Sequence, residues 1–456
     1  MSVSQFDPDL IRRHNVNGPR YTSYPTADRF RDGDWSPAYR SSMRSTDLSA
    51  LSLYMHVPFC STICFYCACN KINTANRKRA DQYVRTLIRE MALQRQLIDG
   101  PHSIEQLHFG GGTPTFLDEE QIDRVFDGIR SSFNLSENAS RDFSIEIDPR
   151  HLDPKRIDHL ASHGINRISI GVQDFDPAVQ VAVNRVQSVG ETRAVMDAAR
   201  ANGIRSINVD LINGLPKQTA SGFTRTLEQV IELQPDRLSL YSYAHLPQRF
   251  KTQRQINADD LPGPELKLTL LETAVNRLTD AGYVYIGMDH FAKASDSLIQ
   301  AQQQGTLHRN FQGYTTHGHC HLIGLGVSSI GHVGRVYVQN TKTLPEYYAA
   351  IGAGNLAIVR GIEINGEDVI VGQVIQDLMC NFEVDLPKFE TATGVAFCDF
   401  FADQWPGLQE FEQQDLLVIG ERRLTVTDRG RFLIRNICML FDAYLNRTTE
   451  LFSKAI

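Results

Sequence analysis

The sequence predicts an α/β fold: an incomplete parallel (β/α) barrel, preceded by an arm and followed by a mainly α-helical, winged-helix-like domain. Three observations predict it. From about residue 50, short runs rich in β-branched and aromatic residues alternate with longer stretches whose apolar residues recur at intervals of three and four. Six or seven such units are present, and repeated βα units imply parallel strands joined by right-handed crossovers. The pattern is absent before about residue 36 and changes after about residue 362.

Residues 1–35 form the arm. Its stretch "NGPRYTSYPT" has no clear period and reads as too polar for a core, so the arm is expected to close over the barrel mouth. Residues 36–362 carry the strand candidates "LSLYMHV", "IEQLHFG", "DFSIEID", "RISIGVQ", "IRSINVDLI", "DRLSLYSYA" and "YVYIGMDHF". Helical stretches such as "ADQYVRTLIREMALQRQL" and "GFTRTLEQVIELQ" lie between them. In residues 363–456, "LLVIGERRLTVTDRGRFLIRNICMLFDAYL" reads as a hairpin leading into a helix.

A formal charge of -7 argues against a broad nucleic-acid or anionic-membrane surface, which would need many phosphate-facing Lys and Arg. No nucleic-acid partner and no stable membrane insertion are expected. The first residues lack an apolar signal core and no long apolar run occurs, so a cytoplasmic protein is expected. In that compartment thiols stay reduced, and clustered cysteines bind metal or do redox chemistry. Cys320, Cys380, Cys398 and Cys438 are scattered and read as small buried hydrophobes.

The other four cysteines fall within "YMHVPFCSTICFYCACN", Tyr54 to Asn70, spaced C-x3-C-x2-C-x-C just after the first strand candidate. Structural zinc sites usually pair two knuckles at longer separation, and bacterial ferredoxins space their thiols differently. C-x3-C-x2-C can wrap one cubane and ligate three irons, leaving the fourth open to a small chelating ligand. Iron-sulfur ligation by Cys60, Cys64 and Cys67 is favoured over zinc and over buried thiols. Phe59, Phe65 and Tyr66 would shield the cluster from water.

This arrangement resembles the radical S-adenosylmethionine superfamily. The words "HVPFC", "CACNKI", "HFGGGTPT", "IEIDPR", "GVQDF", "VNR", "DLINGLPKQT", "YAHLP", "HRNFQGYTT" and "GVSSIG" narrow the resemblance to its oxygen-independent coproporphyrinogen III oxidases. The similarity runs from "GPRYTSYPT" to "RNICMLFDAYL". It implies the radical S-adenosylmethionine type of barrel, one 4Fe-4S cluster and two S-adenosylmethionine molecules. By resemblance Tyr54, Gly111, Glu146 and Ile330 serve the first of these, with Tyr66 near its adenine. Gly112, Thr113, Gln173, Arg185, Asp210 and Ala244 serve the second.

Elementary chemistry agrees with several of these roles. Glycines after the second strand let backbone amides approach a ligand, although a Gly triplet alone is more often a turn. Glu146, Gln173, Asp210 and Ala244 fall near the ends of successive strands, the face where βα barrels bind ligands. Read alone, Glu146 and Asp210 would be caps or surface carboxylates, and Arg185 a cation at a helix C-terminus.

The resemblance further implies that a 5'-deoxyadenosyl radical takes hydrogen from two substrate propionates, which lose carbon dioxide to become vinyl groups. Coproporphyrinogen III carries four carboxylates, so cations are needed, and Arg20, Lys71 and Arg309 are the candidates. An electron donor of flavodoxin or ferredoxin type, an acceptor and a monomeric state are expected. Cys69 is expected to line the pocket rather than ligate iron, because a fourth thiolate would occupy the iron that must stay open. Cys69 with "NKI" after it also distinguishes the oxidase from related heme-binding chaperones, the alternative reading. The stretch "THGHCHL", Thr316 to Leu322, looks metal-like, but its ligands lie too close together in sequence, and a polar loop is expected.

Overall fold

The computed structural model of the chain describes residues 7–14 and 16–445; residues 1–6 and 15 of the arm and 446–456 of the C-terminal region lie outside them. Six strands carry the barrel: β1 (Ala50–Val57), β2 (Ser103–Gly111), β3 (Asp142–Ile147), β4 (Arg167–Gln173), β5 (Ser206–Asn213) and β6 (Arg237–Ser242). They lie side by side in chain order, each pair parallel. Helices Arg79–Arg95, Glu119–Ser132, Arg156–Ser162, Val189–Ala201 and Ala220–Leu233 make the crossovers.

The local sequence explains where these elements start and what they bury. Asp118 and Gln121 form a reciprocal capping box that opens helix Glu119–Ser132, and Ser188 and Glu191 do the same for Val189–Ala201. Ile122, Val125, Phe126 and Ile129 then fall on one helix face and are buried. In β4, Ile168, Ile170 and Val172 are buried under the helices. The alternate residues turn into the barrel, where Ser169 donates to Asp210 at 2.9 Å. A hydrophobic shell thus surrounds a polar interior.

The barrel is not closed: among the described residues the sheet has 13 strands with two free edges. Beside β1 runs a further parallel strand, His321–Leu325, followed by antiparallel Ile330–Val333, Val336–Asn340, Ile358–Glu363 and Arg31–Asp32. On the far side, "YVYIGMDHF" departs from expectation. It forms two antiparallel strands, Tyr283–Gly287 and His290–Lys293, because Gly287 and Met288 both take positive φ and reverse the chain. The hairpin His308–Asn310/Gly313–Thr315 ties β2 to the C-terminal region: Gln106 donates to Thr315, and Tyr314 donates to the Met379 carbonyl.

The C-terminal region packs helices Gly366–Asn381, Leu386–Thr393 and Trp405–Gln413 around a three-stranded sheet. Two strands of that sheet, Leu417–Ile419 and Arg423–Val426, form the predicted hairpin, and helix Ile434–Met439 follows. No described helix is long and apolar enough to cross a membrane.

The arm corrects one expectation. "GPRYTSYPT" is not too polar for a core: Tyr21 and Tyr24 are buried and join the main hydrophobic cluster with Ile11. Each phenol keeps its hydroxyl satisfied, Tyr21 by Asp442 at 3.0 Å and Tyr24 by the Ala443 amide at 3.2 Å, which permits burial of the rings. Of the scattered cysteines, Cys380 and Cys438 are buried as expected, whereas Cys398 is exposed and Cys320 half-buried.

Candidate active site

The cysteine loop leaves the C-terminal end of β1 and is held in place by backbone and side-chain bonds on every side. Phe59–Cys60 pairs in parallel with Ile72–Asn73, closing the loop at its base. The Ile63 carbonyl accepts from Asn184 at 2.8 Å, the Tyr66 carbonyl from Gln253 at 2.9 Å and the Cys67 carbonyl from Thr252 at 3.0 Å. Cys60 and Cys64 are buried and Cys67 is half-buried.

Donors aim at the sulfurs. Thr113 Oγ1 lies 3.6 Å from Cys60 Sγ, and Arg150 and Arg185 lie 3.4 and 3.5 Å from Cys64 Sγ. Burial pushes the Asp148 carboxyl up, but Arg185 and Arg150 outweigh it and hold it well below the usual range. Asp148 therefore fixes both guanidiniums as an anion, 2.6 Å from Arg150 and 3.2 Å from Arg185. A hydrogen bond from Cys69 holds the Cys67 thiol down at about 6 against its burial, with Lys71 assisting. The same bond pushes Cys69 well above its ordinary value. Burial pushes the Cys60 thiol up to about 11 although Thr113 opposes it. Three cysteines in one loop, two of them facing hydroxyl or guanidinium donors, are a donor set that fits a cubane cluster.

The glycines at the end of β2 let the backbone pack directly against the start of the cysteine loop. At Gly111, φ is +116° and a Cβ would sit 2.7 Å from the His56 ring, so a side chain there is excluded. At Gly112 a Cβ would meet the Pro58 and Phe59 backbone at 2.8 Å. Glu146 Oε2 accepts from the Gly111 amide at 3.2 Å, and its Oε1 lies 3.3 Å from His108. Tyr54 stacks on His108, with ring centroids 5.8 Å apart, and its hydroxyl meets His56 at 3.2 Å.

Deeper in the barrel, burial pushes the Asp210 carboxyl up to about 6, although Ser169 and Asn208 both donate to it at 2.9 Å. Gln173 ends β4 in a left-handed conformation, and its buried Oε1 has no partner among the described residues. Arg185 Nε is likewise buried and unpartnered. Orphaned polar atoms at a barrel mouth are what a bound polar ligand would satisfy. Ala244 offers a carbonyl that accepts from Gln253 at 3.2 Å. Ile330 lies beyond β1, its backbone against Gly324, which pairs with Tyr54.

The three basic candidates separate. Arg20 is paired with Asp289 at 2.8 Å, and Lys71 donates to the Cys67 carbonyl at 2.9 Å. Arg309 is buried over the Tyr314 ring with Nε and Nη1 unpartnered among the described residues. Beside it, both amide atoms of Gln312 are buried without partners. Sequence reading missed Gln312, although it lies within "HRNFQGY", and missed Asp148 and Arg150, whose signal was the charged pair ending "IEIDPR".

Residues 54–230 match the model of the Radical SAM superfamily, and residues 364–433 match that of the HemN C-terminal domain. Oxygen-independent coproporphyrinogen III oxidase from Pseudomonas aeruginosa is 49% identical over 461 residues, covering 100% of both chains. The enzyme of that name from Escherichia coli K12 is 45% identical over 460 residues, again covering 100% of both. The solved structure of the Escherichia coli coproporphyrinogen III oxidase, a radical SAM enzyme, superposes with a TM-score of 0.92 at 44% identity, covering 96% of this chain and 99% of that one. Full-length identity at this level, on a barrel whose first loop gathers three thiols, shows that the chain belongs to the oxygen-independent coproporphyrinogen III oxidases, a family of radical SAM enzymes.

Proposed function

We propose that this chain converts two propionate side chains of coproporphyrinogen III to vinyl groups, giving protoporphyrinogen IX for heme biosynthesis in the cytoplasm. It would use one 4Fe-4S cluster and two S-adenosylmethionine molecules. The observation that carries the reading is that hydroxyl and guanidinium donors face the Cys60 and Cys64 sulfurs of a three-cysteine loop packed against the glycine-rich end of β2. When bound, the cluster and S-adenosylmethionine supply a carbon radical able to take hydrogen from an unactivated carbon.

Each of the chain's own groups then has a positional task. Cys60, Cys64 and Cys67 hold the metal, while Cys69 stays protonated beside Cys67 and lines the pocket. Tyr54, Tyr66, Gly111, Glu146 and Ile330 orient the first S-adenosylmethionine, and Gly112, Thr113, Gln173, Arg185, Asp210 and Ala244 the second. Arg309 supports substrate binding best among the basic candidates, because two of its buried donors await an acceptor. Arg20 and Lys71 would act through Asp289 and the cysteine loop respectively. We assign 1–35 as arm, 36–362 as catalytic barrel and 363–456 as C-terminal domain, with a small redox protein as electron donor to a monomeric enzyme.

The test is anaerobic turnover of the cluster-loaded protein with coproporphyrinogen III, S-adenosylmethionine and a reductant. Carbon dioxide, methionine and protoporphyrinogen IX are expected together. Methionine release without decarboxylation would overturn the substrate assignment, and tight heme binding without turnover would favour a carrier.

A further inference from the structure

The loop before strand His321–Leu325 carries His317, His319 and Cys320, which sequence spacing alone does not bring around one ion. Folding adds a ligand from elsewhere. Glu105, the third residue of β2, places Oε2 2.9 Å from His319 Nε2, and Cys320 Sγ lies 3.6 Å from the same nitrogen. All three donor atoms fall within 4.8 Å of one another.

We propose that Glu105, His319 and Cys320 form a zinc site at the foot of the barrel, with water as fourth ligand. Zinc bonds of about 2.3 Å to sulfur and about 2.05 Å to nitrogen, at the tetrahedral angle, set the two ligands about 3.6 Å apart. That is the spacing found between Cys320 and His319. The corresponding nitrogen-to-oxygen edge is about 3.4 Å, so Glu105 and His319 need to part by about 0.5 Å. Both can: the His319 and Glu105 side chains are 57% and 32% exposed.

The mixed sulfur, nitrogen and oxygen set suits zinc and disfavours calcium and magnesium, which take oxygen. Binding needs no redox step; the Cys320 thiol releases its proton to solvent and the imidazole binds as the neutral base. The site is separate from the cysteine loop. Glu105 lies near the start of β2 and Gly111, beside the loop, at its end, about 20 Å along the strand. By joining β2 to the loop that feeds the strand beside β1, the ion would pin the seam where the sheet extends beyond the barrel.

A second cluster, Asp123, His159 and His163, meets the same distance criterion but offers no thiol, and its His163 is held as a proton donor. Arg130 donates to His163 Nδ1 at 3.2 Å, so Nε2 holds the proton and donates it to Asp123 at 2.7 Å. That cluster serves as the control.

The test uses cluster-loaded protein, equilibrated anaerobically with buffered zinc, with iron and zinc counted per chain. One zinc is expected with iron retained. Zinc-edge absorption should show one sulfur at about 2.3 Å with nitrogen and oxygen for the rest. Cys320→Ser and His319→Gln should each weaken zinc binding at least about tenfold while leaving iron content and helix content unchanged. Zinc should also raise the unfolding temperature of the parent protein but not of Cys320→Ser. Asp123→Asn should bind zinc like the parent. Equal zinc uptake by Cys320→Ser, a zinc shell without sulfur, or one with three sulfurs, which would put the ion in the cysteine loop, each overturns the site.

Discussion

Arg185 and Asp148 form a buried ion pair, 3.2 Å from Nη1 to Oδ2, and the same nitrogen lies 3.5 Å from Cys64 Sγ. The pair is placed by two separate segments: Asp148 directly after β3 and Arg185 after helix Pro177–Ala182. Donors directed at a cluster sulfur stabilise the reduced, more negative form. Arg185→Ala should therefore lower the reduction potential, on the order of tens of millivolts, and cut turnover by about a hundredfold. Breaking a buried pair costs about 3–5 kcal/mol when the remaining charge is orphaned. Here Arg150 still holds Asp148 at 2.6 Å, so roughly 2 kcal/mol is expected. Potentiometric titration and denaturant unfolding check the two effects; an unchanged potential sinks the sulfur-directed role.

Cys60→Ser, Cys64→Ser and Cys67→Ser should each lose the iron and with it cleavage of S-adenosylmethionine. On the proposed reading, in which Cys69 lines the pocket beside Cys67, Cys69→Ser should retain iron near the parent level while impairing product formation. Iron analysis with product chromatography distinguishes them. Loss of iron from the Cys69 variant would make it a ligand.

Arg309→Lys keeps a charge but lacks the planar fork, and should raise the KM for coproporphyrinogen by about tenfold or more with little change in S-adenosylmethionine binding. Steady-state kinetics against each ligand checks this. A shift confined to S-adenosylmethionine would move Arg309 out of the substrate site.

The arm should be inseparable from stability. Tyr21 donates to Asp442, Arg435 Nε to the Pro19 carbonyl and Asn436 to the His14 carbonyl, so the arm and the last described helix share one interface. Tyr21→Phe should cost about 1–3 kcal/mol by leaving the Asp442 carboxyl short of a partner. Truncation through residue 26 should lower the melting temperature as well as stop turnover. A truncated enzyme with the parent's stability and activity would remove both the core role and the lid.

Glu90 provides a pH test. It is fully buried in helix Arg79–Arg95, accepting from the Gly326 amide, Tyr347 and Asn340, each at 2.7 Å. Burial pushes its carboxyl up to about 7 from an ordinary 4.5, despite those donors. A raised folded-state value means that folding holds the proton, so the stabilisation is present below about 4.5 and lost as pH rises through about 7. The span corresponds to roughly 3 kcal/mol at about 1.4 kcal/mol per unit. The stability difference between the parent and Glu90→Gln should therefore change across this window and flatten above it. A difference independent of pH between 4.5 and 7 contradicts the assignment.

The sequence by itself determined the barrel, the cysteine loop and the family. These depend on local signals: alternating periods of two and near four, capping boxes, and three thiols within eight residues, 60 to 67. The tertiary structure decided what no local pattern encodes. It turned "YVYIGMDHF" into a hairpin because two positive-φ residues reverse it, and it buried Tyr21 and Tyr24 because distant Asp442 and Ala443 satisfy their hydroxyls. It separated Arg309 from Arg20 and Lys71, since only pairing in space reveals which guanidinium donors lack an acceptor. It also carried Glu105 to His319 and Cys320 across 214 residues. Strand register, not spacing along the chain, sets which side chains share a surface, and a reading confined to neighbouring residues has no access to register.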